Sequence, residues 1–491
     1  MTTVSYAALL HLLLPEVIVV ITALLVLAAD LLISRAAPSR TRFAMGAVIS
    51  SIGCIGAITQ ILCDPQQANV FNGTLVIGLE TQLVQVALLI LTVFIVVVSS
   101  GHSFTSHVGE YFAVALFATT GMMLLVSSQN VLLIFLSLEL LSLSLYVLAA
   151  LNKRSSRSAE AALKYFLFGG TSAAFLLFGL SLLYGLSNST NLVQIAQAIK
   201  NPPLNPLLAV AIVMIVLGFG FKVAAVPFHF WAPDVYEAAP AGSAALIASS
   251  AKVAGFVIFY QVMVIGFAGA EGSANWRSSA PGWLPVVAVV AALSMVLGNL
   301  VAITQTSVRR LLAYSAIAHG GYILLALVAH TEQSFDALLY YAITYALTLI
   351  GAFGVVGIVE EQTGGEKLSN FAGLSRRAPV LSFCMLIFML SLGGIPPLAG
   401  FFGKFFLFAS VLSAGQHTFG LLWLVVLAVA MSTVSLYYYL QVLKRIYVAE
   451  PPTESRPIRA PRVSQFVLCV IALGILLLGC APNLLLKWLH P

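Results

Sequence analysis

Five charged residues stand in stretches that are otherwise apolar: Glu139 in NVLLIFLSLELLSLSLYVL, Lys164, Lys222 in LGFGFKVAAVPFHFWAPDVYEAAP, Lys252 in AGSAALIASSAKVAGFVIFY and Lys404 in SLGGIPPLAGFFGKFF. Insertion scales put a charge in the membrane interior at ~2.5–3.5 kcal/mol or more, so such groups are candidates for function. A lysine in a low-dielectric site gives up its proton readily, and a nearby carboxylate holds the proton on. The set can therefore bind and pass protons. Glu139 falls about nine residues into its helix, roughly 14 Å deep, and Lys252 about eleven residues into its own. Pro227, Pro233 and Pro240 follow Lys222, so its helix is expected to break just past the lysine. Counted from Arg377, an unbroken helix would carry Lys404 roughly 40 Å, past the ~30 Å core. The Gly393–Gly394 and Pro396–Pro397 pairs supply the break that keeps it inside, and broken helices at membrane depth line polar cavities.

Three further residues are candidates for a relay. Lys164 has Glu160 four residues earlier, which reads either as a surface ion pair or as a modulator of Glu139. His229 follows the first break and His319 lies mid-helix in RRLLAYSAIAHGGYILL. A neutral imidazole passes protons near neutral pH, and a hydrogen-bonded core histidine is the alternative. A purely structural role for Glu139 would make it the partner of a buried lysine. The five cysteines (Cys54, Cys63, Cys384, Cys469, Cys480) have no paired spacing. They read as small apolar packing residues rather than disulfide, zinc or iron–sulfur ligands. No phosphate-binding glycine loop, nucleophile elbow or metal-ligand spacing is present. No cofactor or metal is therefore expected on this chain, and no nucleic acid as partner.

The elements that must position these groups are transmembrane helices. The chain has 491 residues, 60% hydrophobic and 8% charged, with a mean hydropathy of +1.03, against about 25% charged residues in soluble domains. Apolar runs long enough to span fall at 10–33, 43–63, 78–100, 109–127, 130–150, 160–185, 206–228, 241–265, 284–306, 308–329, 335–359, 380–410, 419–443 and 464–487, about fourteen in all. The first has no basic leader and reads as an uncleaved span. Loops after odd-numbered spans carry Arg35, Arg40, Arg42, Lys153, Arg154, Arg157, Arg309, Arg310, Lys367, Arg376, Arg377, Lys444, Arg445, Arg456, Arg459 and Arg462, whereas the other side has only Lys200, Arg277 and Lys487. This asymmetry predicts that both termini face away from the cytoplasm, that is, the periplasm. The chain is thus expected to be an all-α polytopic membrane protein.

The strings FKVAAVPFHFWAPDVYEAAP, RRLLAYSAIAHGGY and SLGGIPPLAGFFGKF resemble the antiporter-like, proton-translocating subunits of respiratory complex I, the NADH–quinone oxidoreductase, over essentially the whole chain. Within that family, subunit M is expected to carry a glutamate at the position of Lys404. Subunit L has the lysine but is longer, with a lateral helix and extra spans. Length and Lys404 together favour the remaining branch. One departure is Tyr236-Glu237-Ala238-Ala239-Pro240-Ala241-Gly242, which lacks a Gly and a Pro of the family's Tyr-x-Gly-Ala-Pro-x-Pro and puts the local turn in question.

The resemblance implies two inverted five-helix repeats, at 109–265 and 284–447, each with a broken helix. Three helices precede them in 1–108 and one follows at 464–488. It implies membership of a translocase in which other subunits hold the FMN, iron–sulfur clusters, NADH and quinone sites. The implied partners are subunit M, small membrane subunits and the lipid bilayer, in the bacterial inner membrane. Electron transfer from NADH to quinone would drive protons along Glu139 and Lys222, then Lys252, His319 and Lys404. The rival readings are a subunit of a multi-subunit cation/proton antiporter, a relative of membrane-bound hydrogenases, and a purely structural membrane subunit with dispensable lysines. The absence of a carboxylate-rich site favours H⁺ over Na⁺.

Overall fold

The computed structural model describes residues 6–101, 104–200, 205–331, 333–414, 420–451 and 457–489. Arg456, counted among the basic loop residues, lies outside them. Among the described residues, thirteen helices are long and apolar enough to cross a membrane: Leu14–Leu32, Ser39–Cys63, Leu79–Ser99, Val108–Val126, Val131–Ala149, Ser156–Ser187, Pro206–Val223, Ala241–Gly266, Trp283–Ile303, Val308–Ala329, Ser334–Thr363, Leu422–Tyr447 and Arg462–Cys480. The apolar pair Pro379–Gly393 and Ala399–Ala414 lies between the eleventh and the last two. Counted as one broken span, this pair brings the total to fourteen. It is the twelfth in chain order.

Hydrogen bonds between loops check the count. Those after odd-numbered spans join one another: Gln362 donates to the Arg459 carbonyl (2.7 Å), Ile458 to that of Arg377 (3.2 Å) and Gly373 to that of Arg445 (3.1 Å). Those after even-numbered spans do likewise. Gln129 donates to the Gly73 carbonyl (2.9 Å), Leu192 to that of Gln129 (2.9 Å) and Trp276 to that of Gly420 (3.2 Å). One miscounted span would have put such partners on opposite faces of the membrane.

The seventh span ends at Val223 and the chain resumes as a short helix, Trp231–Ala238. This break and the one in the twelfth span are closed in the same way. Ala224 and Gly394 adopt left-handed backbone (φ 59° and 80°). Ala224 donates to the Phe221 carbonyl (3.0 Å) and Ala225 to that of Gly220 (2.7 Å), while Gly394 donates to that of Ser391 (2.9 Å) and Ile395 to that of Leu390 (3.1 Å). Both are Schellman ends, which satisfy inner carbonyls and turn the chain sharply. Gly394 takes the conformation freely; Ala224 bears a strain of about 1–2 kcal/mol that sequence patterns do not advertise.

Several features differ from what the hydropathy pattern predicts. The first span is preceded by a separate helix, Tyr6–Leu12, because Pro15 has no N–H to continue the ladder backwards. The eighth span is interrupted at Ser249, whose hydroxyl donates to the Ala245 carbonyl (2.5 Å) and competes with the helix ladder. It closes on a π-helical turn, Val262–Gly266. A two-stranded antiparallel hairpin, Ala68–Val70 with Leu75–Ile77, is added to the otherwise helical fold between the second and third spans. Packing describes Cys54 and Cys384, which are buried, but not Cys63, Cys469 and Cys480, which are exposed. The free thiols of Cys384 and Cys469 lie 3.9 Å apart.

The eighth, tenth and eleventh spans form the inner wall and are almost wholly buried. Outer spans turn Leu24, Ile52, Leu136, Phe166 and Phe178 outward, as helices bordered by lipid do.

Candidate functional site

The chemistry begins on one face of the fifth span. Glu139, Ser142 and Tyr146 recur there at three- and four-residue steps, so their side chains share a stripe. Lys222, in the last turn of the seventh span, donates to the Ser142 hydroxyl, which in turn donates to the Leu138 carbonyl. The Lys222 ammonium also lies 5.9 Å from the Tyr146 ring centroid and 5.6 Å from that of Phe221. Glu139 is within electrostatic reach of Lys222, but among the described residues the two make no direct ion pair. Both are only partly buried by the chain itself, although the sequence places them deep within apolar spans. The reason is the fifth helix, which turns Leu132, Leu136 and Leu143 outward on the adjoining face.

The helix end also favours a cation there. Lys222 precedes the left-handed residue by two positions, where the carbonyl ends of the peptide dipoles gather.

Lys252 sits deeper, 2% exposed. It follows the Ser249 interruption by three residues, donates to the Ala316 carbonyl (3.0 Å) and lies 5.9 Å from the Tyr236 ring. Lys404, 4% exposed, donates to three acceptors: the carbonyls of Leu392 (3.0 Å) and Gly393 (3.2 Å) and the Ser432 hydroxyl (2.8 Å). The two carbonyls close the first half of the twelfth span, so its negative end faces the ammonium directly. The Tyr322 ring covers Lys404 at 5.3 Å.

His319 stands between these lysines and within electrostatic reach of both. Nδ1 is 2.6 Å from the Tyr341 hydroxyl and Nε2 is 3.0 Å from that of Tyr439, which also bonds Ser315. A neutral imidazole offers one donor and one acceptor, so the two phenols complete it in opposite senses. The Tyr345 ring stacks on it at 4.8 Å. A second polar string runs beside this one, with Tyr438 donating to Asn299 (2.9 Å) and Asn299 to the Tyr322 hydroxyl (3.1 Å).

Lys164 and His229 do not join the row. Lys164 pairs with Glu160, as its spacing foretells, and also with Asp234 on the short helix after the seventh span, both at 2.8 Å. Asp234 pairs in turn with Arg310 (2.8 Å), and Arg310 with Glu237 (2.9 Å). Burial alone would push the Asp234 carboxyl up, but hydrogen bonds from Lys164 and Arg310 outweigh it and hold it below the usual carboxylate range. Asp234 is therefore ionised throughout the neutral range. This polar cluster borders a cavity of about 360 Å³ on the basic side of the protein, lined by Lys164, Asp234 and Glu237 among others. His229 is buried with its ring stacked on Phe230 at 4.5 Å. No hydrogen bond or ion pair links its side chain to the lysines among the described residues.

Sequence reasoning missed Ser142, Ser432, Asp234 and the tyrosines around His319. Ser142 carried a signal, being one turn beyond Glu139 in an apolar helix. Ser432 and Tyr439 come from the thirteenth span, which no local pattern ties to Lys404 or His319. Among the described residues no group of His, Cys, Asp and Glu could hold a metal ion.

The twelfth span must pass very close to itself. A Cβ at Gly400 would fall 1.9 Å from the Ser391 carbonyl oxygen. Gly400→Ala is therefore expected to push the second half-helix away and displace Lys404, destabilising the protein by about 3 kcal/mol or more, in the range of severe overpacking. Thermal denaturation of the purified complex checks this, and an unshifted transition would contradict the packing described.

A family model described as "NADH:quinone oxidoreductase/Mrp antiporter, TM" matches residues 128–432. A relative from Acidobacterium capsulatum, NADH-quinone oxidoreductase subunit N 2, is 54% identical over 500 residues and covers 100% of both chains. Among solved structures, a chain of respiratory complex I from Thermus thermophilus is 32% identical, with a TM-score of 0.77 over 96% of this chain and 98% of that one. A chain of the Mrp complex from a Dietzia species shares the fold, with a TM-score of 0.79 and 21% identity over 97% and 96%. Fold and site together define an antiporter-like, ion-translocating membrane subunit. Within that class, the chain belongs to the subunit N family of NADH-quinone oxidoreductases.

Proposed function

We infer that the chain is a proton-translocating membrane-arm subunit of an NADH-quinone oxidoreductase, working as part of that enzyme. The observation that carries this reading is the row itself: Lys222 on Ser142 near Glu139, then Lys252, His319 within its tyrosines, and Lys404. Nothing in an apolar fold requires three lysines along its middle, each costing ~2.5–3.5 kcal/mol or more to insert.

In the working order, Glu139 holds a proton on Lys222, and loss of that attraction releases it towards Lys252. His319 passes it between Lys252 and Lys404, since each of its nitrogens already meets a hydroxyl. The ion pairs of Lys164 and Asp234 border the intake side. Moving one charge against the membrane potential costs about 2.3 kcal/mol per 100 mV. The driving force must therefore come from quinone reduction elsewhere in the complex, where the NADH, FMN and iron–sulfur sites are held.

In this reading residues 109–265 and 284–447 are the two inverted repeats. The arrangement of their breaks supports it: one broken helix enters from the side poor in Lys and Arg, the other from the rich side. The basic side is cytoplasmic, the termini are periplasmic, the membrane is the bacterial inner membrane, and subunit M and small membrane subunits are neighbours.

Glu139→Gln keeps the shape and removes the charge. Proton pumping by the assembled complex in vesicles is expected to fall several-fold, and unchanged pumping would sink the assignment. The antiporter reading rests on the Dietzia fold match at 21% identity. Dehydrogenase genes beside this one would set it aside, and antiporter genes there would favour it.

A further inference from the structure

On the basic side of the protein, where the second and fourteenth spans begin and the third and eleventh end, lies a cavity of about 740 Å³. That is within the range of small-ligand sites. Arg40, Arg459 and Arg462 line it together with Glu361 and Ser100, and Ile358 lies one turn deeper. Three guanidinium groups against one carboxylate leave it positive. We propose that this cavity binds the phosphate headgroup of an anionic glycerophospholipid.

Three observations select that occupant. The arginines fall at span ends, the level of lipid headgroups, and apolar residues follow directly below. A soluble anion would leave those apolar residues unused. Basic pockets between helices on this face of a membrane protein attract anionic lipid. Two helices begin here, Ser39–Cys63 and Arg462–Cys480, each behind a proline that offers no side-chain cap, and helix N-termini favour anions. Finally, the Ser464 hydroxyl is fully buried without a hydrogen-bond partner and lies against Gly101, which lines the cavity.

The wall is also prepared in advance. Gln362 clasps the backbone of Arg459 from both sides, donating to its carbonyl (2.7 Å) and accepting from its N–H (2.9 Å). The loop that carries the arginine is thereby fixed to the end of the eleventh span, which lowers the entropy cost of binding.

The test uses the intact complex in native-lipid nanodiscs with a photoactivatable phosphatidylglycerol, mapping the label by mass spectrometry. Labelling of the 457–463 segment is expected, with none from the matching phosphatidylethanolamine probe. At about fivefold per basic residue, the triple variant Arg40→Gln, Arg459→Gln, Arg462→Gln should cut the label about a hundredfold. The triple lysine variant should retain it, which separates charge from folding. Full competition by inorganic phosphate would make this a free-anion site and overturn the lipid assignment. Absence of label from the 457–463 segment, or label undiminished in the triple glutamine variant, would overturn it equally.

Discussion

Lys222→Ala is expected to abolish NADH-driven proton pumping in a complex that still assembles. The side chain is only partly buried and its packing neighbours are the rings of Tyr146 and Phe221, so truncation opens little space. Removing a charge from the apolar interior relieves a cost of ~2.5–3.5 kcal/mol, and assembly should survive. A group that transfers protons is commonly worth a factor of about 10²–10⁴, and pumping should fall by at least about tenfold. Lys222→Arg sharpens the result. Arginine keeps the positive charge beside Ser142 and Glu139 but does not release its proton at any working pH. If Lys222 acts by giving up a proton, the arginine variant is as inactive as the alanine. If it acts only as a fixed charge, arginine restores pumping. Measuring pumping and quinone reduction side by side in vesicles distinguishes these cases, and normal values in both variants would make Lys222 structural.

Lys404→Met is expected to lose pumping and stability together. Its ammonium supplies the donor for the Leu392 and Gly393 carbonyls and for Ser432, all at or beside the cut end of a half-helix. Methionine leaves these acceptors without that donor at about 1–3 kcal/mol each, partly offset by the relieved charge burial. A net loss of a few kcal/mol should show as earlier dissociation of the complex on heating. Lys404→Gln offers an amide donor to the same carbonyls and should recover much of the stability, yet it carries no titratable proton and should not pump. A glutamine variant that pumps normally would remove Lys404 from the proton path.

The ionisable residues were legible because an isolated charge in an apolar run is conspicuous, and the helix breaks because Pro and Gly announce themselves. Loop arginines gave the parity of the spans, which the inter-loop hydrogen bonds obey. What the pattern could not convey was which partner each charge would find. Asp234 reads as an ordinary helix-start acid until the fold brings Lys164 and Arg310 to it from 70 and 76 residues away. Ala224 gave no hint of its left-handed turn, since alanine ordinarily extends a helix. Cys384 and Cys469 likewise meet only through tertiary packing. Local chemistry was readable, and pairings across the bundle were not.

The backbone partners of the deeper lysines divide the row into parts of different character. Peptide carbonyls accept hydrogen bonds but cannot take up a proton at any physiological pH. Lys252 on Ala316, and Lys404 on Leu392 and Gly393, are therefore docked against groups that can hold a charge in place but never relieve it of one. Lys222 leans on a hydroxyl, which can both receive and hand on. If the row carries protons as proposed, the outer lysine would conduct and the inner two would store, like a wire feeding capacitors. Discharge from the last of them would then have, among its hydrogen-bond partners in the described residues, only the Ser432 hydroxyl to leave by, a narrow exit that would oppose leakage back along the way the charge came.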